Sequence, residues 1–175
     1  MHPRTARALI APALVMFALL TATSSSAHAR NQGRTISTAG VSLQIPAGWH
    51  AHVASMPACD PARLIVASST LTRIGPNGRL PSPHAGTVLV LLLEDRYRQD
   101  RPIGDLHRPQ HFSVTWDRLA HIEPCCGLPA SPAHMRYFKT HGRYLGFIVY
   151  PGKAASVATR TATLSLMDSL HVNRS

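Results

Sequence analysis

Acidic residues are scarce in this chain: 8 Asp and Glu stand against 18 Lys and Arg in 175 residues. That leaves little material for the paired carboxylates of glycosidase-type chemistry. The candidates are Glu94, Asp95, Asp100, Asp105, Asp117 and Glu123, and adjacent Glu94 and Asp95 would point to opposite faces of a continuing strand. Other signatures are missing too. The chain contains no Gly-x-Ser-x-Gly elbow, no phosphate-cradling glycine loop, no His-Glu-x-x-His and no dinucleotide fingerprint, so none of those catalytic classes is indicated. Aromatics make up 6% of residues and do not interleave with a basic stripe, which argues against nucleic acid as a partner. Past the N-terminal region the longest apolar run is Val88 to Leu93, far short of the ~20 residues that span a bilayer as a helix.

What is present begins with an export signature. His2, Arg4 and Arg7 make a short positive segment, and Ala8 to Leu20 is apolar apart from its interruption at Pro12. This run fits the ~7–15 residues of a signal core. Ala27-His28-Ala29 supplies the small residues of a cleavage site, with cleavage expected after Ala29 and next best after Ala27. The reading is a signal peptide over 1–29 and a single exported domain over 30–175. The destination is secretion or the cell envelope and periplasm, with no integral membrane segment left after processing. A domain of that length buries ~68–70% of its unfolded surface.

Loss of Arg4 and Arg7 takes the 18 basic residues to 16 against the same 8 acids. Positive charge favours anionic partners, so the expected partner is an unknown protein or an anionic envelope component. The basic residues are scattered and nearly all Arg, however, and the same pattern follows from amino-acid usage alone.

Three cysteines remain after processing: Cys59, Cys125 and Cys126. In an oxidising compartment a disulfide is expected. Adjacent cysteines seldom bridge each other, so Cys59 should pair with Cys125 or with Cys126. Closing that loop of roughly 66 residues is worth about 4 kcal/mol in chain-entropy estimates. The remaining thiol is buried and inert, exposed and able to dimerise, or reactive. His121 and His134 bracket the pair, so a Cys–His hydrolase site is conceivable. No local hydrolase signature surrounds it, and no catalytic residue is assigned. His50-x-His52 and His107-x-x-x-His111 have metal-like spacing, but Pro109 breaks the second, and two ligands fall short of the four of a structural zinc site. No metal and no cofactor is expected.

The patterning predicts strands at Val41–Ile45, Leu64–Ala67, Val88–Leu93 and Phe112–Trp116, with an exposed loop over Arg96–Pro109. A hairpin is predicted from Met135–Thr140 and Arg143–Tyr150 around His141-Gly142. Ser156–Leu170 reads as an amphipathic helix with Val157, Leu164, Leu166, Met167 and Leu170 on its apolar half. Arg160 falls inside that arc and must snorkel past its edge or meet an acid. The expected fold is α+β: a central antiparallel β-sheet with the C-terminal amphipathic helix packed on it.

Two segments carry a family likeness. Gly40-Val-Ser-Leu-Gln-Ile-Pro-Ala-Gly-Trp49 resembles the strand followed by Pro-x-Gly-Trp that opens PsbP-like exported domains. Leu164-Ser-Leu-Met-Asp-Ser-Leu-His-Val172 is similar to their terminal helix. The resemblance implies a sheet with helical cover and a binding or assembly role without chemistry. It transfers no functional residue. Two other functions stay open at this level, a small secreted hydrolase with a Cys–His or Ser–His site and a cationic cell-envelope adhesion protein.

Overall fold

The computed structural model describes residues 33–55, 63–70, 79–94, 106–122 and 127–174, all within the unit Asn31–Ser175. Cys59, Cys125 and Cys126, the signal segment with Ala27 and Ala29, and most of the Arg96–Pro109 loop lie outside the described residues.

Among the described residues, nine strands and one helix follow in order. The strands are β1 (Thr35–Thr38), β2 (Val41–Gln44), β3 (His50–Ser55), β4 (Arg63–Ser68), β5 (Val88–Glu94), β6 (Ala120–His121), β7 (Pro132–Thr140) and β8 (Arg143–Pro151). The helix α1 (Val157–Asp168) comes next, and β9 (His171–Val172) closes the chain. They form two antiparallel sheets, a six-stranded one in the order β3-β4-β5-β8-β7-β6 and a three-stranded one in the order β1-β2-β9.

Two tight turns set the registers. Ala39-Gly40 joins β1 to β2 with φ of 46° and 75°, and His141-Gly142 joins β7 to β8 with φ of 48° and 75°. Positive φ at both central residues matches the right-handed strand twist, and glycine accepts it without steric cost. Thr38 then faces Val41, and Thr140 faces Arg143. Because side chains alternate, each register fixes which residues share a face.

Both faces of the large sheet are filled. One carries Ala51, Ile65, Ala67, Val90, Leu92, Leu145, Phe147, Val149 and Phe138, packed against Val41, Leu43 and Ile45 of the small sheet and Leu166, Met167 and Leu170 of the helical region. The other carries Val66, Leu89, Leu91, Ile148 and Tyr150, covered by Leu80, Ile122 and Leu128 from connecting segments. The continuous apolar runs of β4, β5 and β8 are those of strands buried on two sides.

The α+β expectation needs correction. The protein is mainly β, with two antiparallel sheets and one helix of 12 residues. Periodicity marked β2, β4, β5, β7 and β8 but not that His171 and Val172 return to pair with Ser42 and Val41. That pairing makes a second sheet of β1, β2 and β9, since strand pairing between distant segments leaves no local pattern. The helix is also shorter than its apolar pattern. Val157 is 80% exposed, while Thr163, Leu166 and Met167 are buried. Phe112–Trp116 alternates in burial but joins no ladder; it runs across the sheet face instead of within a sheet. No helix among the described residues is long and apolar enough to cross a membrane.

Candidate functional site, a groove between Trp116 and Arg160

The segment that follows His107 is fastened at three points. A β-bridge links His107 to Lys139. The Phe112 amide then donates to Asp168 Oδ1 at 2.7 Å, with His111 Nδ1 3.2 Å from Oδ2, and Arg108 Nη2 donates to the Leu170 carbonyl at 2.7 Å. A cation at the carbonyl end of a helix is electrostatically favourable. Phe112 drives its ring edge-on against Phe138 and Phe147, at centroid distances of 5.1 and 5.0 Å. Further on, Ala120 and His121 pair with Ala133 and Pro132. Between these anchors the chain runs opposite to β7, and Val114 to Asp117 are held at the border of sheet and helix.

There Val114, Thr115, Trp116, Asp117 and Arg160 line a shallow, open groove of about 420 Å³. Arg160 comes from the first turn of α1. Its Nε donates to the Ala155 carbonyl at 3.1 Å, and its guanidinium carbon lies 5.3 Å from the centre of the Trp116 ring. The arginine placed by periodicity inside the apolar arc meets no acid among the described residues; it is exposed and rests on an aromatic face, a cation–π contact. One hydrogen bond and one cation–π contact orient the guanidinium toward the groove. Among the described residues, neither the terminal nitrogens of Arg160 nor the Asp117 carboxylate has a hydrogen-bond or ion-pair partner. A cation and an anion thus share one groove without closing on each other.

The helix adds to the positive side. Ser156 caps its N-terminus by accepting the Thr159 amide, and the first turn holds no acid. The partial positive charge of that helix end therefore adds to the charge of Arg160.

The histidines singled out by sequence divide. His121 and His134 share one face across β6 and β7, because His121 faces Pro132, two residues before His134. His134 Nε2 is buried without a hydrogen-bond partner among the described residues, and burial first, then the Arg136 charge, hold its pKa below the ordinary 6.5. Any relation of this pair to Cys125 or Cys126, and the expected Cys59 disulfide, lies outside the described residues. His50 and His52 share a face of β3 as the alternation predicts, opposite Ser68 and Val66. His107 and His111 are drawn apart, one to β7 and the other to the helix end. Among the described residues no three His, Cys, Asp or Glu side chains gather as a metal site.

Sequence reading missed Trp116 as a site residue. The usable clue was Arg160, a charge in an apolar arc that demanded some partner. The chain matches no protein-family model, no curated protein and no solved structure.

Proposed function

We propose that this chain is an exported, non-enzymatic binding domain that holds an anionic group of a cell-envelope polymer at Arg160. The observation that carries the reading is the Arg160 guanidinium, oriented by Trp116 and the Ala155 carbonyl, with its terminal nitrogens unpartnered among the described residues. A preorganised donor fork of this kind suits an oxyanion, since its orientation has been paid for in folding.

Charge distribution supports the same direction. Of the three described acids, Glu94 is engaged by Arg143 and Asp168 by the Phe112 amide, which leaves Asp117, whereas Arg34, Arg79, Arg118, Arg136, Lys139, Lys153 and Arg174 are exposed. Such an excess raises the local concentration of anionic polymers and makes their binding salt-sensitive. The export signature and the PsbP-like segments support a binding role outside the cytoplasm.

Retention of the purified protein on an anionic polysaccharide, measured at low and high salt, tests the reading. Arg160→Gln should weaken binding about tenfold, the worth of roughly one charge-assisted hydrogen bond. Arg79→Gln, an exposed arginine next to Leu80 on the far side of the sheet, should change it less than about twofold. Equal losses in the two variants would reduce the interaction to net charge, and an unaffected Arg160→Gln protein would remove the groove from it.

A further inference from the structure

Resting on that reading, we infer that the groove takes a carboxylated saccharide unit, a uronic-acid residue of a polymer, in preference to a phosphate polymer or an acidic peptide. The argument turns on Asp117. A site built only to collect negative charge has no use for a carboxylate, yet Asp117 lines the same groove as Arg160 and neither is neutralised by the other. An ionised carboxylate only accepts hydrogen bonds, and a guanidinium only donates them. The two together ask for a ligand that carries an oxyanion and hydrogen-bond donors within one small unit.

A uronic acid meets that demand. Its carboxylate can lie in the Arg160 fork, its ring hydroxyls can donate to Asp117, and Thr115 offers a hydroxyl that either donates or accepts. The partly exposed Trp116 gives the groove an aromatic wall, which suits the C–H faces of a sugar ring. A phosphate polymer brings dense negative charge against Asp117, and like charges at such range repel. A polyglutamate chain supplies carboxylates and one peptide N–H donor per residue, but both sit on a flexible chain, whereas a uronic-acid ring holds several hydroxyl donors at fixed positions beside its carboxylate. The groove is also open, so a ring can enter while the polymer continues on both sides.

The test compares polygalacturonate, polyphosphate and polyglutamate at matched charge concentration, with neutral dextran as reference, by titration calorimetry on the intact chain. The wild type should bind polygalacturonate about tenfold more tightly than the other two polyanions and should ignore dextran. Asp117→Asn should erase that preference, both by weakening polygalacturonate and by strengthening polyphosphate. The variant's thermal unfolding midpoint, expected unchanged at this exposed position, separates a binding effect from misfolding. Equal or tighter binding of polyphosphate or polyglutamate by the wild type would overturn the saccharide assignment while leaving the anion-binding reading intact, as would an unchanged preference in the folded variant. Failure of all three polyanions to bind would remove both.

Discussion

Arg143 grips Glu94 with two hydrogen bonds, Nε to Oε1 at 2.8 Å and Nη2 to Oε2 at 2.7 Å, and its remaining Nη1 donates to the Ala39 carbonyl at 2.9 Å. The pair links β5 and β8 of the large sheet, and the third bond reaches the β1–β2 turn of the small one. One guanidinium therefore ties the two sheets together, next to the point where Asn173 donates its amide to the Gly40 carbonyl.

The side chains of Arg143 and Glu94 are only 14% and 12% exposed, so removal of one leaves the other desolvated. Glu94→Leu or Arg143→Met should destabilise the protein by about 3 kcal/mol in urea unfolding. The double replacement Glu94→Leu with Arg143→Met should cost less than the sum of the single changes, because no orphaned charge remains. Additive losses would show that the two residues act separately.

Gly152 is required by close backbone approach. A Cβ at this position would stand 1.8 Å from the His84 carbonyl oxygen and 3.1 Å from that of Thr87, and the Gly152 amide donates to the Thr87 carbonyl at 2.8 Å. Backbone atoms cannot swing away as a side-chain tip can. Gly152→Ala is thus expected to cost roughly 2 kcal/mol or more, as overpacking does. Gly86→Ala, where a Cβ would meet nothing within 4 Å but φ is +79°, should lose about 1 kcal/mol from backbone strain alone. Thermal melts of both variants check the order.

His134 predicts a pH dependence of stability. Its folded pKa is depressed, by burial and then by Arg136, from the ordinary 6.5. Above pH 6.5 the ring is neutral in folded and unfolded chains, and the full stability is present. As pH falls through 6.5 the unfolded chain takes up a proton that the folded chain resists, so stability declines until pH has passed below the folded value. His134→Gln should flatten the wild-type loss between pH 7.5 and 5, read from urea midpoints at each pH. Parallel curves for wild type and variant would exclude His134 as a contributor.

Much of the β architecture was legible because its signals are local. Alternation at Val41–Gln44, the continuous apolar runs of β4 and β5, and the His141-Gly142 turn each depend on neighbours within a few residues. The candidate site was barely legible. Trp116 and Arg160 are brought together only by the packing of Phe112 on Phe138 and Phe147 and by the anchoring of the 108–112 segment to the end of α1.

By itself the sequence determined where the apolar strands β2, β4 and β5 run, where the helix lies, where the β7–β8 hairpin turns and how positive the chain is, since propensity, periodicity and charge act over short stretches of chain. Only the tertiary structure decided that β1 and β2 join β9 in a second sheet, that Val157 stays outside while Thr163 goes in, and that Arg160 rests on Trp116 beside an Asp117 unpaired among the described residues. Those outcomes depend on contacts between residues tens of positions apart, whose energy exists only once the large sheet has formed the surface on which they pack.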